Sequence, residues 1–190
     1  NVLHGFEEAE RFYKKALEIS DIDGKPLLWS RLSELLLLHG KHYFDKNSYN
    51  DAINYADQVV KVCEEWHECQ KNGKRYSINL RLSDAYILKA QAYAAKGQEN
   101  ADEYFEIAAK ACQKAIEEKP LDFAGYYRLV KLHLSKGDAL DAVHVLDQFR
   151  NEQVSLEEDE ERLRRSRKWI EYIAAELLAD YGFPESSAER

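Results

Sequence analysis

Proline, glycine and cysteine are scarce in this 190-residue chain, at three, eight and three residues, and methionine is absent. So few chain breakers exclude collagen-like, proline-rich and glycine/serine-linker classes and favour long uninterrupted helices. Long hydrophobic runs are missing too: none exceeds the length of Leu35 to Leu38. That is far below the ~20 residues that span a bilayer, so no membrane partner is expected. Three cysteines, Cys63, Cys69 and Cys112, cannot pair completely. An odd count argues against a secreted disulfide framework and for a reducing, cytoplasmic location. Asn1-Val2-Leu3-His4 offers neither a basic nor an apolar signal segment. The missing initiator methionine leads to the expectation that the sequence starts inside a longer polypeptide.

Charge of positive sign is also in deficit, with 27 Lys+Arg against 35 Asp+Glu and a net charge of -8. Such a balance disfavours an electrostatic grip on nucleic-acid phosphates by the whole chain. The one basic cluster, Arg162, Arg164, Arg165, Arg167 and Lys168, follows directly on the acidic run Glu157 to Glu161. Their fields cancel, and the pattern reads as a solvated helix face with favourable i,i+4 pairs.

What the chain does contain is helical periodicity, in about eight predicted helices arranged as antiparallel pairs, with no strand expected. From Phe123 to Phe149, the residues Tyr126, Leu129, His133, Gly137-Asp138, Ala142 and Leu146 recur at three to five residue intervals, forming two stripes broken at Lys136-Gly137-Asp138. A second copy has Tyr86, Ala90, Tyr93 and Lys96-Gly97, then Ala108, Cys112, Ala115 and Pro120. A third has Gly40, Tyr43, Tyr49, Ala52, Ala56 and Val59, its first helix starting near Leu27 behind Pro26, a residue favoured in a first helical turn.

This pattern resembles the tetratricopeptide repeat, a 34-residue helix-turn-helix in which bulky and small positions interlock successive helices. The departures are that Val130 and His133 replace a small residue and a tyrosine, and that Lys89 stands where the family has an apolar residue. Gly97 and Gly137 are 40 residues apart, and the surplus falls in the polar stretch Gln98 to Glu103. The resemblance implies an all-α superhelix of antiparallel helix pairs over residues 1–150, with a truncated first repeat and an insertion at Trp66 to Leu82. A linker and capping helix over 151–190 follow, with Trp169, Ile170, Ile173, Leu177 and Tyr181 on the inner stripe. The helix carrying Phe6, Phe12 and Tyr13 lacks its partner helix. Its apolar patch implies self-association or cover by an upstream domain.

Catalytic chemistry finds no foothold. The nucleophile-elbow, Walker and dinucleotide motifs are absent, and His39 and His42 have no accompanying nucleophile at fixed spacing. Cys63, His67 and Cys69 are too few for a structural zinc site. No enzymatic activity, cofactor or metal is expected. The repeat family instead binds partners along a concave surface lined by first helices. The resemblance places Leu37, Lys41, Phe44, Gln91, Ala94, Tyr127, Arg128 and Lys131 there. It thus implies a non-catalytic interaction module whose basic end, Arg128 and Lys131, suits a partner peptide or protein with carboxylates. Of the positions that clamp a carboxylate tail in the chaperone-binding subclass, Leu37, Lys41, Leu88, Ala124 and Arg128, only Arg128 has the required chemistry.

Residues 119–150, with Lys119-Pro120-Leu121-Asp122, Tyr127-Arg128-Leu129-Val130 and Phe149-Arg150, also resemble the last repeat of the bacterial transcriptional activator domain. That resemblance implies, as an alternative, a regulatory or oligomerisation domain of a bacterial transcription regulator whose DNA-binding part lies outside this sequence.

Overall fold

A computed structural model describes residues 2–21, 24–70, 75–156 and 175. Among these the chain is all-α, with seven helices and no strand. The described residues divide into two compact units, with the division between Glu118 and Lys119.

The first unit holds α1 (Val2–Ile19), α2 (Lys25–Asp45), α3 (Tyr49–Cys69), α4 (Tyr76–Ala95) and α5 (Ala101–Glu118). Each packs on its neighbour in the chain, and α2 also touches α4. Pro26 lies in the first turn of α2, as expected, where its missing N–H deprives no hydrogen bond. The core is built from Trp29, Leu32, Leu36 and Leu37 of α2, Ala56, Val59, Cys63 and Trp66 of α3, and Ile78, Ala85 and Leu88 of α4. Small residues set the spacing: Ala52, Ala56, Ala90, Ala108, Cys112 and Ala115 are all fully buried. These are the residues the period marked as contact positions. In α2, Gly40 plays the same part more severely. A Cβ there would lie 2.8 Å from Leu88 Cδ2 and 3.1 Å from Tyr55 Cβ, so the backbone of α2 approaches its neighbours as only glycine allows.

The second unit holds α6 (Phe123–Lys136) and α7 (Ala139–Leu156), which pack together. Asp122 is the N-cap of α6, its carboxylate accepting from Ala124 N at 3.0 Å. This satisfies one of the four N–H groups that a helix start leaves unbonded. Tyr126, Leu129, Val130, Ala142 and Phe149 are buried, with Tyr126 and Phe149 ring centres 4.8 Å apart.

Three turns share one geometry. Ser48 N donates to Tyr43 O, Gln98 N to Tyr93 O and Asp138 N to His133 O, at 2.9, 3.0 and 2.9 Å. Inside them Asn47 N, Gly97 N and Gly137 N donate to Phe44 O, Ala94 O and Leu134 O. The residues at this inner position are left-handed, with φ of 60, 68 and 83°. This is the paired bonding of a Schellman helix end, which satisfies carbonyls the helix leaves over. The glycines of the later two turns were legible. Asn47 was not marked, although asparagine is among the residues that tolerate this conformation best.

Several helix bounds differ from the sequence reading. Most of the expected insertion at Trp66 to Leu82 is helical: α3 continues to Cys69 and α4 begins at Tyr76. Trp66, Tyr76 and Ile78 are buried there. Likewise α7 runs on through Asn151 to Leu156, where a polar link was expected. The capping stripe from Trp169 to Tyr181 and the basic cluster from Arg162 lie outside the described residues.

Candidate partner-binding surface

The exposed side of α2 follows from its rotation of about 100° per residue. Leu27, Arg31, Leu38, Lys41 and Asp45 are exposed at three to seven residue intervals, with half-buried Glu34 among them. Leu27 and Leu38 are large apolar groups left 64% and 50% exposed. Glu34 ties this side to α4 through Arg81, whose guanidinium nitrogen lies 3.4 Å from its carboxylate, and Arg31 donates to the same oxygen at 3.2 Å.

The seven residues expected to bind a partner are distributed as follows. Lys41 is exposed on α2 and Gln91 half-buried on α4. Phe44 is half-buried, its ring 5.5 Å from that of Tyr49. Leu37 is 3% exposed and belongs to the core, so it presents nothing to a partner. The outward residue is Leu38, one position and about 100° further round. In the second unit, Tyr127, Arg128 and Lys131 are half-buried on α6. The Tyr127 ring lies 6.1 Å from that of Phe123, and Arg128 donates to Ala124 O at 3.0 Å, which holds the guanidinium along its own helix. The structure therefore gives each unit its own set of these residues: Lys41, Phe44 and Gln91 in the first, Tyr127, Arg128 and Lys131 in the second.

Lys89, a misfit in the repeat pattern, has a clear local role. Its ammonium donates to Asp57 on α3 at 2.6 Å and lies 4.4 Å from the ring centre of Tyr104 on α5. Burial pushes its pKa down, but the hydrogen bond and charge of Asp57, joined by smaller contributions from Tyr104, outweigh this and leave it raised. Tyr104 in turn stacks on Tyr93, with ring centres 5.0 Å apart and planes 9° from parallel. One cation thus joins three helices by a charge-assisted bond and a cation–π contact. Its partners lie 32 residues before and 15 after it, beyond any local pattern.

Among the described residues, Cys63, His67 and Cys69 do not converge as metal ligands. The one trio whose donor atoms lie within 4.8 Å of one another is His133, Asp138 and Asp141. Cys63 is buried, and desolvation pushes its thiol up to about 12, which opposes the thiolate a metal needs. Cys63 and His67 instead line a cleft of about 610 Å³ at one end of the first unit, together with Arg75, Asn79, Lys114 and Glu118. Asn79 donates to Glu118 there at 3.0 Å. The sequence held no sign of this cleft, because its residues come from three helix ends.

His39 and His42, which the sequence left without a catalytic partner, both lie against aromatic rings. His39 is 1% exposed, its ring 4.8 Å from Phe6, 5.1 Å from Tyr43 and 4.1 Å from Tyr55. Phe6 and Tyr13 of α1 are half-buried, while Phe12 stays 65% exposed, so the expected apolar patch on this helix is smaller than its sequence implies. Among the described residues, no helix is long and apolar enough to cross a membrane. No protein-family model matches the chain, and no curated protein matches it in sequence.

Proposed function

We propose that this chain is a tetratricopeptide-like helical repeat module that binds a protein or peptide partner without catalysing a reaction. The observation that carries the reading is the threefold recurrence of one helix-ending turn, at Asn47, Gly97 and Gly137, each joining two antiparallel helices. Recurrence of a supersecondary unit is the mark of repeat proteins, whose extended faces serve recognition. Contact between α2 and α4, each the first helix of its pair, agrees with stacking of successive pairs. The exposed side of α2 offers leucines beside a lysine and an arginine, and in the second unit α6 offers Tyr127, Arg128 and Lys131; each set by itself suits an amphipathic segment with carboxylates.

The test is selection of displayed random peptides on the 190-residue chain, followed by affinity measurement for the enriched sequences. Enrichment of peptides bearing Asp or Glu beside apolar residues is expected. Arg128→Glu with Lys131→Glu should weaken them by more than ~1 kcal/mol, about fivefold. Equal affinity for parent and variant would remove α6 from the binding surface.

The second reading, a regulatory domain of a bacterial transcription regulator, draws on one observation: the second compact unit begins at Lys119, where that resemblance begins. It requires a DNA-binding fold elsewhere in the full-length protein. Sequencing the gene upstream decides the matter.

A further inference from the structure

The first turns of α1 rest on an unusual support. Phe6 stacks on His39 with planes 16° apart, and its ring centre is 6.2 Å from that of His42. Below them Tyr43 and Tyr55 stack at 5.5 Å, and His39 is in ring contact with both. Five rings from three helices therefore form one layer, with a titratable imidazole at its centre. His39 is buried, and no protein donor or acceptor reaches its Nε2. Elsewhere α1 holds on lightly. No described side chain of α1 is fully buried, and apart from Phe6 the core is met chiefly by half-buried Tyr13 and Leu17.

We propose that α1 is a pH-dependent clasp, released from α2 when the buried His39 ring takes up a proton, so that the aromatic layer beneath it is uncovered. The charged groups facing the ring are Glu7 and Glu10 from α1, and His42 from α2, with the phenols Tyr43 of α2 and Tyr55 of α3 beside it; Asp51 of α3 acts on Tyr55. Glu10 is also bound to Lys14 at 2.5 Å. Burial holds the His39 pKa below its ordinary value, against the pull of Glu10 and with the help of His42, while Glu7 adds a smaller opposing pull.

The direction of the switch follows. With α1 displaced, the face of the ring that Phe6 covers meets water, and its affinity for protons rises toward the ordinary value near 6.5. A proton therefore binds the undocked form better than the docked one. Docking is complete above the ordinary histidine value and weakens as pH falls through the lowered one. The phenol of Tyr55, pushed up to about 12 chiefly by burial, stays neutral throughout this range.

Hydrogen–deuterium exchange of the 190-residue chain tests the clasp, with rates corrected for the intrinsic effect of pH. Between pH 7.5 and pH 5, amide protection in residues 6–19 should fall on the order of fivefold while that of α4 and α5 holds. In His39→Phe, which keeps a ring in the stack, the fall should vanish, and in His42→Gln it should persist. Should His39→Phe fold poorly, the imidazole proton resonances of His39 in the parent chain serve instead. Their titration midpoint should lie below 6.5 and coincide with that of α1 exchange. A pH response kept by His39→Phe, equal loss in α4 and α5, no loss in α1, or a midpoint at or above 6.5 would each overturn the proposal.

Discussion

Two sides of α2 show two ways of holding a helix. Toward α3 and α4 it presents Leu32, Leu36, Leu37 and Gly40, with the backbone so close at Gly40 that a methyl group has no room. Toward α1 it presents His39 and His42, large flat rings that contact other rings without interlocking. The first side gains from many dispersion contacts and complete removal of apolar area from water. The second gains from ring stacking, worth about 0.5–1.5 kcal/mol per pair beyond the area it buries. On the clasp proposed above, adjacent residues 39 and 40 belong to different stability regimes: Gly40 to the cooperative core, His39 to a contact that opens locally.

The largest effect should come from hollowing the tight side. Leu36 is 1% exposed, and Leu36→Ala removes its buried methyl groups from the core and leaves a cavity. Global stability should fall by about 2–5 kcal/mol in urea unfolding, with an unchanged slope. A loss below about 1 kcal/mol would mean that the α2–α3–α4 packing is no tighter than the α1 contact.

Gly40→Ala comes next. Alanine favours a helix over glycine by about 1 kcal/mol, and overpacking costs about 1–3 kcal/mol. Leu88 can turn its Cδ2 aside only within a filled core, and the Tyr55 Cβ cannot turn at all. The expected net loss is on the order of 1 kcal/mol, and a gain would show that the close approach is looser than 2.8 Å implies. Gly97 gives the contrast: an added Cβ there meets nothing within 4 Å, and the cost of Gly97→Ala lies wholly in its left-handed φ.

Much of the tight side was legible because packing leaves a period. Ala52, Ala56 and Val59, then Ala90, Ala108, Cys112 and Ala115, fall where a helix needs small residues against a neighbour, and all are buried. The phase of α2 was harder. Leu35 to Leu38 are identical side chains, so the run carries no information on which of them faces inward, and Leu37 was set on the surface in place of Leu38. Among the tyrosines of the repeat pattern, Tyr126 is fully buried, whereas Tyr43, Tyr86 and Tyr93 are half-buried members of ring stacks. The Lys89 bridge and the cleft beside Cys63 escaped notice for a common reason. Each is assembled from helices distant in sequence, and neither its charges nor its spacing repeats.

The gentlest test falls on the loose side. Phe6→Ala removes a stacked ring worth about 0.5–1.5 kcal/mol beyond its buried area, yet Phe6 itself is only half-buried. If α1 opens apart from the rest, that loss belongs to the opening of α1 and leaves the global transition nearly where it was. Amide protection over residues 6–19 should fall about tenfold, equivalent to ~1.4 kcal/mol, while the urea midpoint moves by less than about 0.5 kcal/mol in stability. A midpoint shift as large as the loss of protection would place α1 inside the cooperative core and erase the distinction between residues 39 and 40. Protection that stays at the parent level would instead shift the anchoring of α1 to Tyr13 and Leu17, the two half-buried side chains that meet the main core.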